Sequence, residues 1–123
     1  VQTLRELKQE GYFVRGHVLV WPGFEHTPNK YKALHDKPEE LRRVVRERVV
    51  DLVSRTRGIV DDWDVTNETE GNRQYMDILG RDEMLEWYRL ARRTDPKVKL
   101  TFNEPSFGVG GMEAGSWKNL PGE

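Results

Sequence analysis

Residues 61–70 read Asp-Asp-Trp-Asp-Val-Thr-Asn-Glu-Thr-Glu. An aromatic and β-branched run stops abruptly here on Asn67-Glu68, a neutral hydrogen-bond donor beside a carboxylic acid. With Ile59 and Val60 ahead of it, the stretch predicts a buried strand over 59–66. A strand that carries one acid to the mouth of a fold is well suited to aim a proton. Acid chemistry on an uncharged polar substrate such as a sugar is the leading implication.

The order of elements around this strand decides the fold class. Val1, Leu4 and Leu7 recur at helical spacing across 1–10, and Gly11 is a good stop. Residues 12–20, Tyr-Phe-Val-Arg-Gly-His-Val-Leu-Val, form a largely apolar run rich in β-formers and read as a buried strand. A loop with Pro22, Gly23, Pro28 and Asn29 follows. From Lys37-Pro38 to about Thr56, a helix carries Leu41, Val44, Val45, Val49, Leu52 and Val53. After the 59–66 strand, a polar loop with Gly71 and Asn72 leads to a helix from about Asp82, stopped by Asp95-Pro96. Val98–Asn103 makes a third strand, and a glycine-rich tail begins at Pro105.

The resulting αβαβαβ order predicts parallel strands joined by right-handed helical crossovers. All three strands finish in polar or aromatic clusters, Trp21-Pro22, Asn67-Glu68 and Asn103-Glu104. Parallel α/β folds place their chemistry at such carboxyl ends. Strand ends furnished alike favour a (β/α)-barrel rim over an open sheet. The sole glycine-rich candidate for a phosphate loop, Gly108-Val-Gly-Gly, lacks the following Lys and Ser/Thr.

Composition narrows the function classes. At 123 residues the chain is one domain by size. Its 20 Lys+Arg nearly cancel 21 Asp+Glu, so charge gives no reason to expect nucleic acid or an anionic membrane as partner. No apolar run approaches the roughly 20 residues that span a bilayer, and no signal peptide is read in the segment opening at Val1. Without cysteine there is no disulfide, thiolate metal site or Cys nucleophile. Three histidines without a pair at ligand spacing argue against a metal site, and no cofactor is expected.

Glu68 could be a solvated acid after a strand, but its position, the preceding Asn67 and the aromatic strand make it the candidate catalytic acid. Glu70, two residues on in a polar loop, reads as solvated. Glu104 occupies an equivalent strand end. Neighbours on one rim tend to lie on the same side of a substrate, so it reads as support for the site rather than as a nucleophile. His17, inside an apolar strand, reads by default as a hydrogen-bonded core histidine, with a substrate contact as the sharper alternative. Trp21 is either core or a platform for the flat C–H face of a sugar. Trp63, Trp87 and Tyr88 fall within elements and read as packing.

Arg15-Gly-His-Val-Leu-Val-Trp21 resembles the third strand of family 10 glycoside hydrolases, the endo-β-1,4-xylanases, which typically read Arg-Gly-His-Thr-Leu-Val-Trp-His. Trp63-Asp-Val-Thr-Asn-Glu68 resembles that family's fourth-strand motif, Trp-Asp-Val-Val-Asn-Glu. Ala91-Arg-Arg-Thr-Asp-Pro-Lys-Val-Lys-Leu-Thr-Phe-Asn-Glu104 is similar to its run into the fifth strand. The resemblance spans about residues 1–105 and implies a retaining hydrolase on a (β/α)8 barrel, acting on a xylan-like plant cell-wall polysaccharide. By it, Glu68 would be the general acid/base, Asn67 would hold the sugar 2-hydroxyl, and Asn103 would support the neighbouring strand end. An extracellular or periplasmic location would follow.

Three departures accompany the match. Pro22 stands where the family usually has a substrate-binding His, Asn29 and Lys30 follow Pro28 where a Trp is usual, and Glu104-Pro105 replaces Asp-Tyr. They hint at a branch acting on another polysaccharide. The family's nucleophile, a Glu in a Thr-Glu-Leu/Ile-like context, has no counterpart after Asn103-Glu104. The expectation is therefore a partial barrel over about strands three to five, inactive alone. The alternative is a non-catalytic fragment that self-associates, pairs with a missing barrel half, or binds carbohydrate weakly.

Overall fold

The computed structural model describes residues 2–24, 29–67 and 73–103. Helix α1 spans Gln2–Gln9. It ends because Gly11 takes a left-handed conformation, φ +91°, which only glycine adopts cheaply. The Gly11 N–H then returns to Lys8 O and the Tyr12 N–H to Leu7 O, closing the last turn. Strand β1 follows over Arg15–Val20.

The expected strand over 12–20 is thus three residues shorter at its start. Tyr12 and Phe13 are exposed, and pairing begins at Arg15↔Asp62. Their β propensity yields because the Tyr12 N–H is already committed to the helix end. Nor is β1 buried throughout: Leu19 and Val20 are buried, while Arg15 and His17 are exposed.

The loop expected between β1 and the long helix contains a further short helix, α2, Asn29–Lys32. Helix α3 spans Pro38–Arg55. Pro38 occupies its first turn, where a missing N–H costs nothing, and Glu39 and Glu40 complement the helix dipole there. Leu41, Val45, Val49 and Val53, four residues apart, form its buried stripe. Thr56 closes the helix, its hydroxyl donating to Leu52 O at 2.7 Å.

Strand β2, Asp62–Asn67, is buried at every position. It starts three residues later than expected, since Ile59 and Val60 are still in the turn from α3. Helix α4, Gln74–Leu79, replaces part of the expected polar loop. Tyr75, Met76 and Leu79 bury one side of it, a helical stretch too short to stand out in the sequence. Helix α5, Asp82–Thr94, buries Trp87, Tyr88 and Ala91, and β3 runs Lys99–Asn103.

The three strands form a parallel sheet in the order β1-β2-β3. This is the expected partial (β/α)8 arrangement of parallel strands with helical crossovers. Side chains on the two sheet faces differ sharply. Towards the helices, Trp63 Nε1 donates to Thr56 Oγ1 and Thr66 Oγ1 meets the Tyr88 hydroxyl at 2.9 Å. Away from them, Asp62 accepts from Thr101 Oγ1 at 2.6 Å, and Asp64 meets Arg15 and His17. Trp63 and Thr66 share a face although three residues apart, so the period of two breaks between them. The pairing register with β3 shifts at that place, between Asp64 and Thr66.

Gly16 is required by close packing. A Cβ there would stand 2.5 Å from the Trp63 ring. The peptide bond between His17 and Val18 is cis.

Candidate active site

The carboxyl ends of the strands assemble in register. Asn67 pairs with Asn103, and Val20 pairs with Thr66, so Trp21 and Asn67 each follow directly on a paired position. Asn67 is buried as the last residue of the central strand. Glu68 and Glu104, next in the chain, lie outside the described residues, as does Glu70. Asn103 is placed by its backbone in β3.

One level below this rim sits a buried acid that sequence reasoning passed over. The Asp64 side chain is only 4% exposed, yet it accepts from Arg15 Nη2 and lies 2.8 Å from His17 Nδ1. The hydrogen bond to Asp64 is also the main reason the Arg15 guanidinium is held further into its charged form. A carboxylate cannot donate, so His17 presents Nδ1–H to Asp64 and, in the neutral ring, carries its acceptor at Nε2. The signal for this was in the sequence. Asp64 is a charge in a strand with no water access, which demands a partner, and Arg15 and His17 alternate onto one face of the neighbouring strand.

His17 is therefore not a core residue, as its apolar flanks suggested. Its side chain is 47% exposed. The strand's alternation turns it to the polar face, and the apolar neighbours Val18 and Leu19 do not surround it. Trp21 is half-buried and stands edge-on to His17, with ring centroids 6.3 Å apart and planes at 71°. His17 and Trp21 thus meet towards the carboxyl end of β1, and Asn67 ends the neighbouring strand one residue beyond Thr66, the partner of Val20.

Trp63, Trp87 and Tyr88 are core, as expected. Burial pushes the Tyr88 phenol well above its ordinary range, so it remains a neutral partner for Thr66. Among the described residues, no group of three or more His, Cys, Asp or Glu is placed to hold a metal ion. A groove of about 600 Å³ between α2 and α3 is lined by residues such as Tyr31, Arg43 and Glu47, and shares none with the strand ends.

The described residues thus form a parallel α/β segment of the barrel type, whose central strand ends on a buried Asn. Residues 2–108 match the family described as glycosyl hydrolase family 10, and the chain belongs to that family. It is 31% identical over 101 residues to endo-1,4-beta-xylanase 5-like of Arabidopsis thaliana, a match covering 82% of this chain and 18% of that protein. The chain thus spans less than a fifth of the length of the curated relative it matches first. Native xylanase 10B from Thermotoga maritima superposes with a TM-score of 0.74 at 24% identity, over 84% of this chain and 33% of that one. Xylanase 10B from Thermotoga petrophila RKU-1, in complex with xylobiose, gives 0.73 at 25% identity with the same coverage.

Proposed function

We propose that residues 1–123 form one segment of a glycoside hydrolase catalytic barrel, about strands three to five, with a glycine-rich extension over 106–123. The barrel hydrolyses a xylan-like β-1,4-linked polysaccharide with retention of configuration. The observation that carries this reading is the placement of Asn67. It is the terminal residue of the wholly buried central strand, in register with Asn103, and Glu68 is next in the chain. The xylobiose bound to a structural relative supports the substrate class.

In this reading Glu68 protonates the leaving glycosidic oxygen, then takes the proton from the water that releases the glycosyl-enzyme. Asn67 holds the sugar 2-hydroxyl, a contact that strengthens as positive charge develops at the anomeric carbon. His17 and Trp21 supply a hydrogen-bonding edge and a stacking face, and Glu104 supports the rim beside Glu68. The nucleophile, a second carboxylate about 5 Å from the first, comes from polypeptide outside these 123 residues, and the segment alone does not turn over.

Glu68→Gln in a complete barrel tests the assignment. Release of reducing sugar from xylan should fall by at least about 10²-fold, the lower end for loss of a general acid. Hydrolysis of an aryl glycoside whose leaving group needs no proton should retain its first step. Unchanged xylan hydrolysis would reject the role of Glu68.

The sheet favours a second reading for the isolated chain. Within the described sheet, β1 and β3 each have a single strand neighbour, and edges of that kind invite pairing. Self-association, or pairing with a barrel half, would close them. Sedimentation at increasing concentration distinguishes this from a stable monomer, which would reject it.

A further inference from the structure

The turn that leaves β1 is tied to α4 at three points. Pro22 O accepts the Tyr75 N–H at 2.9 Å. Gln74 Oε1 accepts the Phe24 N–H at 2.6 Å. The Phe24 and Tyr75 rings lie 5.2 Å apart, tilted by 59°. Inside the turn, the Gly23 N–H reaches back to Trp21 O at 2.8 Å, and both Pro22 and Gly23 are buried. From Tyr75 the contact continues edge-on to Trp87 of α5, 6.5 Å away, whose Nε1 is held by Glu83 at 3.0 Å.

A continuous packed path therefore runs from the turn carrying Trp21 to the helix layer. Pro22 has no N–H to offer a ligand, but its carbonyl and its burial anchor the turn from within. An indole serves as a sugar platform only while its plane is held. A free turn of this length would sample several backbone states, each turning the ring differently.

Building on the carbohydrate reading above, we infer that α4 is the clamp that fixes Trp21 as a wall of the sugar crevice. Gln74 and Tyr75 act as positioning residues through the Trp21–Phe24 turn. The two have separable parts. Tyr75 also belongs to the core, whereas Gln74 is exposed and α4 packs through Tyr75, Met76 and Leu79. Removing the Gln74 side chain loosens the turn without opening the core.

The test uses the ¹⁵N-labelled complete barrel that carries this segment, with the Trp21 indole signal assigned from Trp21→Phe and xylotetraose as probe. Gln74→Ala should lose hydrogen-exchange protection at the Phe24 amide while α3 and α5 amides keep theirs. The xylotetraose response at the Trp21 indole should weaken about three- to tenfold, the range set by one neutral hydrogen bond. Gln74→Glu, which keeps an acceptor, should stay within about twofold of wild type by the same measure. A wild-type response that Gln74→Ala leaves unchanged overturns the clamp while leaving the carbohydrate reading intact. A wild-type Trp21 signal that xylotetraose does not move overturns the carbohydrate reading, and this assignment with it.

Discussion

Two buried carboxylates, Glu83 in the helix layer and Asp64 in the sheet, solve the same electrostatic problem for different ends. Glu83 is 3% exposed and sits between α3 and α5. It accepts from Arg46 at 2.7 and 2.8 Å, from Arg42 at 3.2 Å and from Trp87 Nε1 at 3.0 Å. Arg42 and Arg46 reach it from α3 with side chains 27% and 39% exposed, and Trp87 is fully buried, so the acid staples α3 to α5. Asp64 has comparable burial, but its partners Arg15 and His17 are about half exposed on the polar face. There the acid orients groups that remain open to a ligand. The difference teaches that burial of a charge does not by itself identify a functional site: the partners of Glu83 close a helix seam, whereas those of Asp64 lie on the polar face of the sheet.

Breaking the staple should have the largest effect on folding. Glu83→Ala takes the acceptor from Arg46 and from the buried Trp87 indole, while Arg42 keeps Glu39 and Leu79 O, and should cost about 3 kcal/mol, the lower end for breaking a buried pair. Urea unfolding of the chain would measure it as a lower midpoint at unchanged slope. Gly16→Ala comes next. Its methyl would overlap the Trp63 ring at 2.5 Å, and overpacking of that kind costs about 1–3 kcal/mol, read in the same titration.

Asp64→Asn sharpens the contrast. Its partners are about half exposed and no buried indole depends on it, so the loss should be about 1–2 kcal/mol, below that for Glu83→Ala. The xylotetraose response at Trp21, beside His17, should nevertheless fall, whereas Glu83→Ala at a temperature where it stays folded should keep it. Equal losses of stability in the two variants, or a sugar response that tracks stability alone, would break the comparison.

The smallest effect belongs to the ion pair that ties α1 to the start of β2. Lys8, together with the Val14 N–H at 2.8 Å, holds the Asp61 carboxyl below its usual range. A depressed carboxylate contributes stability that is fully present above its unfolded value of about 4 and disappears as pH falls through the lower folded value. Lys8→Ala should therefore cost at most about 0.5 kcal/mol near neutrality, since the pair is largely solvated. It should also flatten the loss of stability below about pH 4.

Much of the architecture was legible because its signals are local. Leu41, Val45, Val49 and Val53 repeat at one helical spacing, Pro38 and the Asp95-Pro96 pair mark helix boundaries, and Asn67 marks the end of a strand. The misses were short or contextual. Helix α4 is one short amphipathic stretch, and Tyr12 and Phe13 have strand propensity with no strand paired to them among the described residues. His17 looked internal because its neighbours along the chain are apolar, but alternation sends it to the face they do not occupy. Asp64 was overlooked although a charge in so apolar a strand must have a partner.

The sequence by itself determined the alternation of helices and strands, their parallel order, the family resemblance and the residues that end each strand. Those properties depend on spacing and chain connectivity, which a linear pattern records. Only the tertiary structure decided that Asp64 meets Arg15 and His17, that Trp63 lies against Gly16, and that α4 grips the turn carrying Trp21. Each joins residues some 47–50 positions apart, and contacts at that separation form only when packing fixes the register between strands and closes the sheet against its helices.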